Sequence, residues 1–282
     1  MTYAPIIIPT LSRINHLKRC IDSLANNSYA HKTDLIISVD FPPSKEYYDG
    51  YNKVKEYLSN GIKGFANVKL YYQNENLGAR DNVDFLIKRV VELGYETFVF
   101  TEDDNEFSPC FLEYINKGLE IFDEDEHVFM VCGYSEPDTI TSSSNNVKEI
   151  YTFTPWGFGS WIKKFNVIIE KVTLENFTNI LEDDEKAGLL AYNRPDMFRY
   201  LFETVVSNPN DKNGLYSWYF KKNGDVAYID QTIAPIMTLE GCFSVCPIRS
   251  LVRNWGIDDH SGNIKMSNSN IRYEEQEIDD SI

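Results

Sequence analysis

The sequence has no apolar run near the roughly 20 residues that a membrane span takes, which excludes an integral helical membrane protein. Its start, Met1-Thr-Tyr-Ala-Pro-Ile-Ile-Ile-Pro9, lacks the basic opening and long apolar stretch of a secretory leader, so none is expected. Basic residues are in short supply: 27 Lys and Arg stand against 43 Asp and Glu, a net charge of -16. That balance suits neither nucleic acid nor an anionic membrane surface, where Lys and Arg must neutralise phosphates. Cysteine is sparse as well. Cys20, Cys110, Cys132, Cys242 and Cys246 are odd in number and mostly scattered, which reads as reduced thiols in a cytoplasm. Cys242 and Cys246 form the one close pair, with no second pair or neighbouring His to complete a zinc site. No internal repeat is present.

What remains is an ordinary globular composition. Of 282 residues, 43% are hydrophobic and 25% charged, enough for a large core without staples. Over the first 135 residues, short apolar runs alternate with helical spacing. Ile6-Ile-Ile8, Leu35-Ile-Ile-Ser-Val39, Val68-Lys-Leu-Tyr-Tyr72, Phe98-Val-Phe100 and Val128-Phe-Met-Val131 read as strands. Ile14, Leu17, Ile21 and Leu24 recur on one helical face. Residues 45–59 and 79–93 read as helices stopped by Asn60-Gly61 and Gly94, and Ser108-Pro109 as the N-cap and first position of another. The alternation predicts an α/β fold: a mostly parallel sheet with helices on both faces. Residues 138–149 read as a polar loop. The second half is less regular and aromatic-rich, and the last nine residues, with five acids, read as a solvated tail.

In open α/β sheets, ligands bind beyond the carboxyl ends of the strands. Four such ends carry polar groups here: Thr10 to Arg13, Asp40, Gln73 to Arg80, and Thr101 to Glu106. Glu102-Asp103-Asp104 is the sharpest of these. Adjacent carboxylates repel unless something positive compensates, and a hard divalent cation is the natural partner; a solvated acidic turn is the bland alternative. Arg13 and Arg80 stand at helix starts on the same edge, where a guanidinium suits a phosphate, or a surface ion pair. Asp40 can accept hydrogen bonds from a base or ribose, or simply cap a turn before Phe41-Pro42-Pro43.

Pro5 to Arg13, Leu35 to Asp40 and Phe98 to Asp104 together resemble the GT-A fold glycosyltransferases. The chain looks most similar to inverting family-2 bacterial enzymes and the N-acetylglucosaminyltransferase I group; the latter carries Glu-Asp-Asp after an apolar strand, whereas the common family-2 pattern, from which this chain departs, is Asp-x-Asp. Pro155 to Trp161 and Ser250 to Gly256 resemble blocks of bacterial sugar transferases. The resemblance implies a Rossmann-like GT-A domain, with residues 1–135 binding the nucleotide sugar, an aromatic-rich 136–262 binding the acceptor, and 263–282 an acidic C-terminal tail. It implies that Thr10, Arg13, Asp40 and Arg80 hold the nucleotide, with Asp40 on uracil. It places Glu102 and Asp103 toward ribose and donor sugar, and Asp104 on Mn2+ or Mg2+. Asp230, in Tyr228-Ile-Asp-Gln231, matches an acidic position before Gln and is expected to be the catalytic base; a helix N-cap is the other reading, and Asp196 and Asp225 are weaker candidates. His260 resembles a C-terminal His that reaches the metal or diphosphate, or lies in a surface turn. Trp156 and Trp161, beside two glycines, stack on sugar or pack the core.

The expected activity is hexosyl or N-acetylhexosaminyl transfer from a nucleotide sugar, a UDP-sugar first, to a glycan or lipid-linked acceptor, as in polysaccharide biosynthesis. The setting is cytoplasmic, with peripheral association at the inner face of a membrane compatible with a lipid-linked acceptor. The alternatives are a sugar-phosphate nucleotidyltransferase, disfavoured because no glycine follows the first strand, and a non-catalytic nucleotide-sugar-binding subunit.

Overall fold

The computed structural model describes residues 3–135, 147–207, 219–221, 223–227, 229–256 and 276–279. Eight strands form one sheet in the order β3-β2-β1-β4-β8-β6-β9-β7. They are β1 (Ile6–Thr10), β2 (Leu35–Val39), β3 (Val68–Tyr72), β4 (Thr97–Phe100), β6 (Val128–Cys132), β7 (Val147–Ile150), β8 (Phe158–Trp161) and β9 (Phe243–Pro247). Strands β7 and β8 run against the other six, so the sheet is mostly parallel. A small antiparallel ribbon pairs β5 (Asn105–Phe107) with β10 (Val252–Asn254).

The apolar runs are strands because both of their faces are covered. Ile7, Ile36, Phe98 and Phe100 point to one face; Ile6, Ile8, Leu35, Ile37 and Val99 point to the other. The second face is closed by α1 (Ile14–Ala25), α2 (Tyr48–Ser59) and α4 (Phe111–Ile121) through Leu17, Tyr51 and Phe111. The first is closed by α3 (Ala79–Glu92), α5 (Ile162–Ile169), α6 (Leu174–Glu182), α7 (Asp184–Asn193), α8 (Pro195–Val206) and α9 (Asp230–Leu239). Gly61 and Gly94 end α2 and α3 at φ of 83° and 80°, which a side chain would resist.

Some expectations change. Residues 162–206 are regular, four consecutive helices with Thr173 and Asp183 as N-caps of α6 and α7 and Pro195 at the first turn of α8. Their apolar spacing is obscured by the density of aromatics. Residues 147–149, read as loop, belong to β7, which among the described residues is an edge strand paired with β9. Helix α4 starts at Phe111, not at Ser108: the Ser108 hydroxyl donates to the Asp279 carbonyl at 2.8 Å, and its N–H to Leu251 at 2.9 Å. The C-terminal end is not wholly a solvated tail either, because Gln276 is 3% exposed. Among the described residues no helix is long and apolar enough to cross a membrane.

Candidate active site

The carboxyl ends of β1, β2, β3 and β4 bring the polar segments to one edge, as parallel pairing requires. After β1, Arg13 sits at the N-cap of α1 and reaches across to the segment that follows β4. Its guanidinium pairs with Asp103 through Nη2 and with Asp104 Oδ2 through Nη1, the latter at 2.8 Å. The Thr10 hydroxyl donates to the other Asp103 oxygen at 2.6 Å. The two carboxylates are 6% and 8% exposed, so their charge is balanced within the protein rather than by water. Burial alone would lower the Arg13 pKa, but the two aspartates outweigh it and raise it. Burial also pushes Asp104 up, with Asp103 adding to the rise and Arg13 opposing it.

Asp104 is held from a second side. Asn254 of β10 donates Nδ2 to Asp104 Oδ1 at 2.9 Å, and the Trp255 N–H donates to the Asp104 carbonyl at 2.8 Å. Gly256 lies so close that a Cβ there would stand 2.2 Å from Asp104 Oδ2.

Glu102 points elsewhere. It is half-buried and lines a cavity of about 490 Å³ together with Arg80, Lys221, Asp230, Phe100 and Phe158. Its carboxylate makes no hydrogen bond to the described residues. Burial and the nearby charge of Asp104 push it up to about 8, against the pull of Arg13. Arg80 donates to the Phe220 carbonyl at 2.9 Å, and burial lowers its pKa. Lys221 pairs with Asp84 of α3.

Asp230 is the first residue of α9, after the N-cap Ile229, so it is not the cap itself. It is reachable from solvent. The cavity wall nevertheless desolvates its carboxyl and raises its pKa, opposed by the backbone N–H groups of Gln231 and Asp230. Asp196 and Asp225 lie apart from this cavity, tied locally to Arg194 and Asn223.

Asp40 is 4% exposed and fully engaged. Its carboxylate accepts from the Phe41, Leu77 and Gly78 backbone N–H groups at 2.8 Å each, and from Asn76 Nδ2 at 3.1 Å. A carboxylate offers about four lone-pair sites; three are used on the loop after β3 and the fourth on the Phe41 N–H. Asp40→Asn turns a donor toward two of these N–H groups and is expected to cost about 1–3 kcal/mol of stability. Urea denaturation reads this directly; an unchanged midpoint would show that the loop does not depend on the carboxylate.

His260 lies outside the described residues. Trp161 is 5% exposed, with Lys164 Nζ 3.6 Å from its ring centroid, and lines a different cleft at the amino edge of the sheet. Trp156 packs edge-on against Tyr134 at 4.7 Å. Core packing therefore accounts for both tryptophans, while Phe158 from the same segment faces the cavity. Sequence reading missed Asn254, Lys221 and Gln276. Asn254 stood inside the Ser250–Gly256 block, but nothing local indicates its partner.

The donor chemistry of Asp104, hard carboxylate oxygen, fits Mn2+ or Mg2+. Such ions commonly take one or two carboxylates and fill their shell with water and substrate phosphates. Among the described residues no group of three ligating side chains converges. A cation at Asp104 would therefore share the carboxylate with Arg13.

No family model and no curated protein matches the chain. Among solved structures it is similar to S. aureus TarS, at 14% identity and a TM-score of 0.46, covering 77% of this chain and 47% of that one. It is similar to S. aureus TarS 1-349 in complex with UDP-GlcNAc at 14% identity and a TM-score of 0.43, covering 59% and 48%. For the mannosyltransferase PcManGT from Pyrobaculum calidifontis, in complex with GDP-Man and Mn2+, the values are 13%, 0.42, 61% and 47%. The chain spans about half the length of these solved structures.

Proposed function

We propose that this chain is a metal-dependent, inverting glycosyltransferase of GT-A type. It would move a sugar from a nucleotide sugar, a UDP-sugar first, to a hydroxyl of a glycan or lipid-linked acceptor. The observation that carries this reading is one juxtaposition. At the carboxyl edge of a mostly parallel sheet, an Arg13–Asp103–Asp104 cluster adjoins a cavity lined by Glu102, Arg80 and Asp230.

The roles follow from what each group faces. Thr10 holds Asp103, and Asp103 pairs with Arg13, whose fork would turn to a phosphate oxygen. Arg80 supplies a second positive group from the start of α3. The backbone of residues 76–78, held by Asp40, would meet the base, since Asp40 has no lone pair to spare for it. Glu102 faces the donor sugar. Asp104 would hold the divalent ion, which when bound offsets charge developing on the leaving diphosphate. Asp230, on a separate element, takes the proton of the acceptor hydroxyl as it attacks the anomeric carbon. A lipid-linked acceptor would bring the chain to a membrane face without a span of its own.

Release of UDP, GDP or CMP from a panel of sugar nucleotides, with and without manganese, tests the reading. Manganese-dependent release with product formation is expected. Pyrophosphate-dependent nucleotide formation would indicate a nucleotidyltransferase, and tight binding without turnover a non-catalytic subunit. Asp104→Ala is expected to abolish the manganese-dependent tightening of UDP binding while the protein stays folded, because Arg13 keeps Asp103 as its partner. Full activity in excess EDTA would overturn the metal role.

A further inference from the structure

The C-terminal segment 276–279 lies against the β5–β10 ribbon, and its contacts end at the acidic cluster. Asp279 anchors it: its N–H donates to the Ser250 carbonyl at 2.9 Å, and its carbonyl accepts from Ser108 Oγ at 2.8 Å. Gln276 is thereby buried beside Asn254, whose N–H donates to Gln276 Oε1 at 2.8 Å. Asn254 is 6% exposed and has both side-chain polar atoms occupied. Its Nδ2 bridges Asp104 Oδ1 and Asn105 Oδ1, both at 2.9 Å, and its Oδ1 accepts from the Gly256 N–H at 2.9 Å. Gln276 keeps its Nε2 buried without a partner, which carries a cost. A leucine or methionine would fill that space without it. The bond from Asn254 to Oε1 is what the amide supplies.

The consequence for Asp104 is geometric. A carboxylate on a short side chain can rotate about its last bond. Here one oxygen is tied to Asn254 and the other to Arg13, and the Gly256 backbone blocks the remaining side. Arg13 is the partner that can leave, since its side chain is 31% exposed. The tie to Asn254 is the buried one and stays when Arg13 turns to a ligand.

We infer that Asn254, fixed by Gln276 of the C-terminal segment, is a positioning residue that sets the orientation of the Asp104 carboxylate, making that segment part of the site. This rests on the proposed role of Asp104. Asn254 touches neither donor nor acceptor and acts through Asp104 alone.

Two near-isosteric variants, Asn254→Leu and Gln276→Met, keep volume and remove the hydrogen bonds. Free Mn2+ measured by electron paramagnetic resonance, titrated with UDP and the 282-residue chain, reports ion binding without turnover. Both variants are expected to weaken Mn2+ binding at least tenfold, while circular dichroism and a cooperative melt show a folded chain. Wild-type Mn2+ affinity in both would overturn the inference. If the wild-type protein takes up no Mn2+ with any nucleoside diphosphate, the proposed function fails, and the relay is judged separately. Urea midpoints of Asp104→Ala, Asn254→Leu and the double variant are then compared. A double-variant loss well short of the sum is expected for directly coupled groups, and additive losses would overturn the relay.

Discussion

Asp230→Asn is expected to lower kcat by about 10²–10⁴-fold, the usual worth of a positioned general base, with UDP affinity almost unchanged. Asn keeps the size of the side chain and can still accept from the first-turn N–H groups of α9, so the helix start should survive. It cannot take a proton. The pH profile adds an independent check. The base works only when ionised, and desolvation in the cavity raises the Asp230 carboxyl above its ordinary value. Activity should therefore fall on the acid side, over a pH range displaced upward from that of a free aspartate, and the limb should vanish from the residual rate of the Asn variant. Near-normal turnover in the variant would return Asp230 to a structural role. NMR of the product tests the stereochemistry: an α-linked donor should give a β-linked product, and retention would remove any need for such a base.

Arg13→Gln is the second large effect. The guanidinium pairs directly with Asp103 and Asp104, whose carboxylates are 6% and 8% exposed. Removing one partner from a buried ion pair leaves charge that the interior cannot solvate. Such losses run to about 3–5 kcal/mol, and the part-exposed Arg13 suggests about 2–4 here. Gln can still donate one hydrogen bond but brings no charge. The variant should melt well below the wild type, and manganese should raise its melting temperature more than it raises that of the wild type, because the ion then has the carboxylates to itself. A melt indistinguishable from wild type would mean that the aspartates are balanced by other groups. UDP binding is expected to weaken in the same variant, since the arginine that pairs with the aspartates is also the one proposed to meet a phosphate.

The two variants probe different elements, and they also divide what could be read in advance from what could not. Strands β1, β2, β4 and β6 were legible because each is a short apolar run buried on both faces, and β3, only half-buried, because of its β-branched and aromatic residues, a signal contained within five or so residues. Helices α1 and α3 were legible from one-sided spacing and their stops. With those elements in parallel order, Thr10, Arg13, Asp40, Arg80 and the 102–104 acids had to share one edge. The four helices α5 to α8 were not legible, because aromatic residues on both their buried and exposed sides blur the periodicity: Phe177 is fully buried, and Phe202 is 48% exposed.

Composition and local patterning by themselves determined the α/β class, the polar carboxyl edge of the sheet and the residues gathered along it. Which of those residues face one another was decided only by the tertiary structure. Asp40 shows why: its position after β2 was plain, but its carboxylate is spent on the loop at 76–78, more than thirty residues away in the chain. Asp104 and Asn254 are 150 residues apart, and their bond depends on β10 pairing with β5 in one register. Glu102 and Asp103 are adjacent in sequence, yet one lines the cavity while the other is locked to Arg13 and Thr10. Successive side chains leave the backbone in different directions, so neighbours in a motif part company as soon as the chain is packed. Partners for a buried carboxylate are then chosen by whatever donors the rest of the fold delivers to that spot, and no local pattern carries that information.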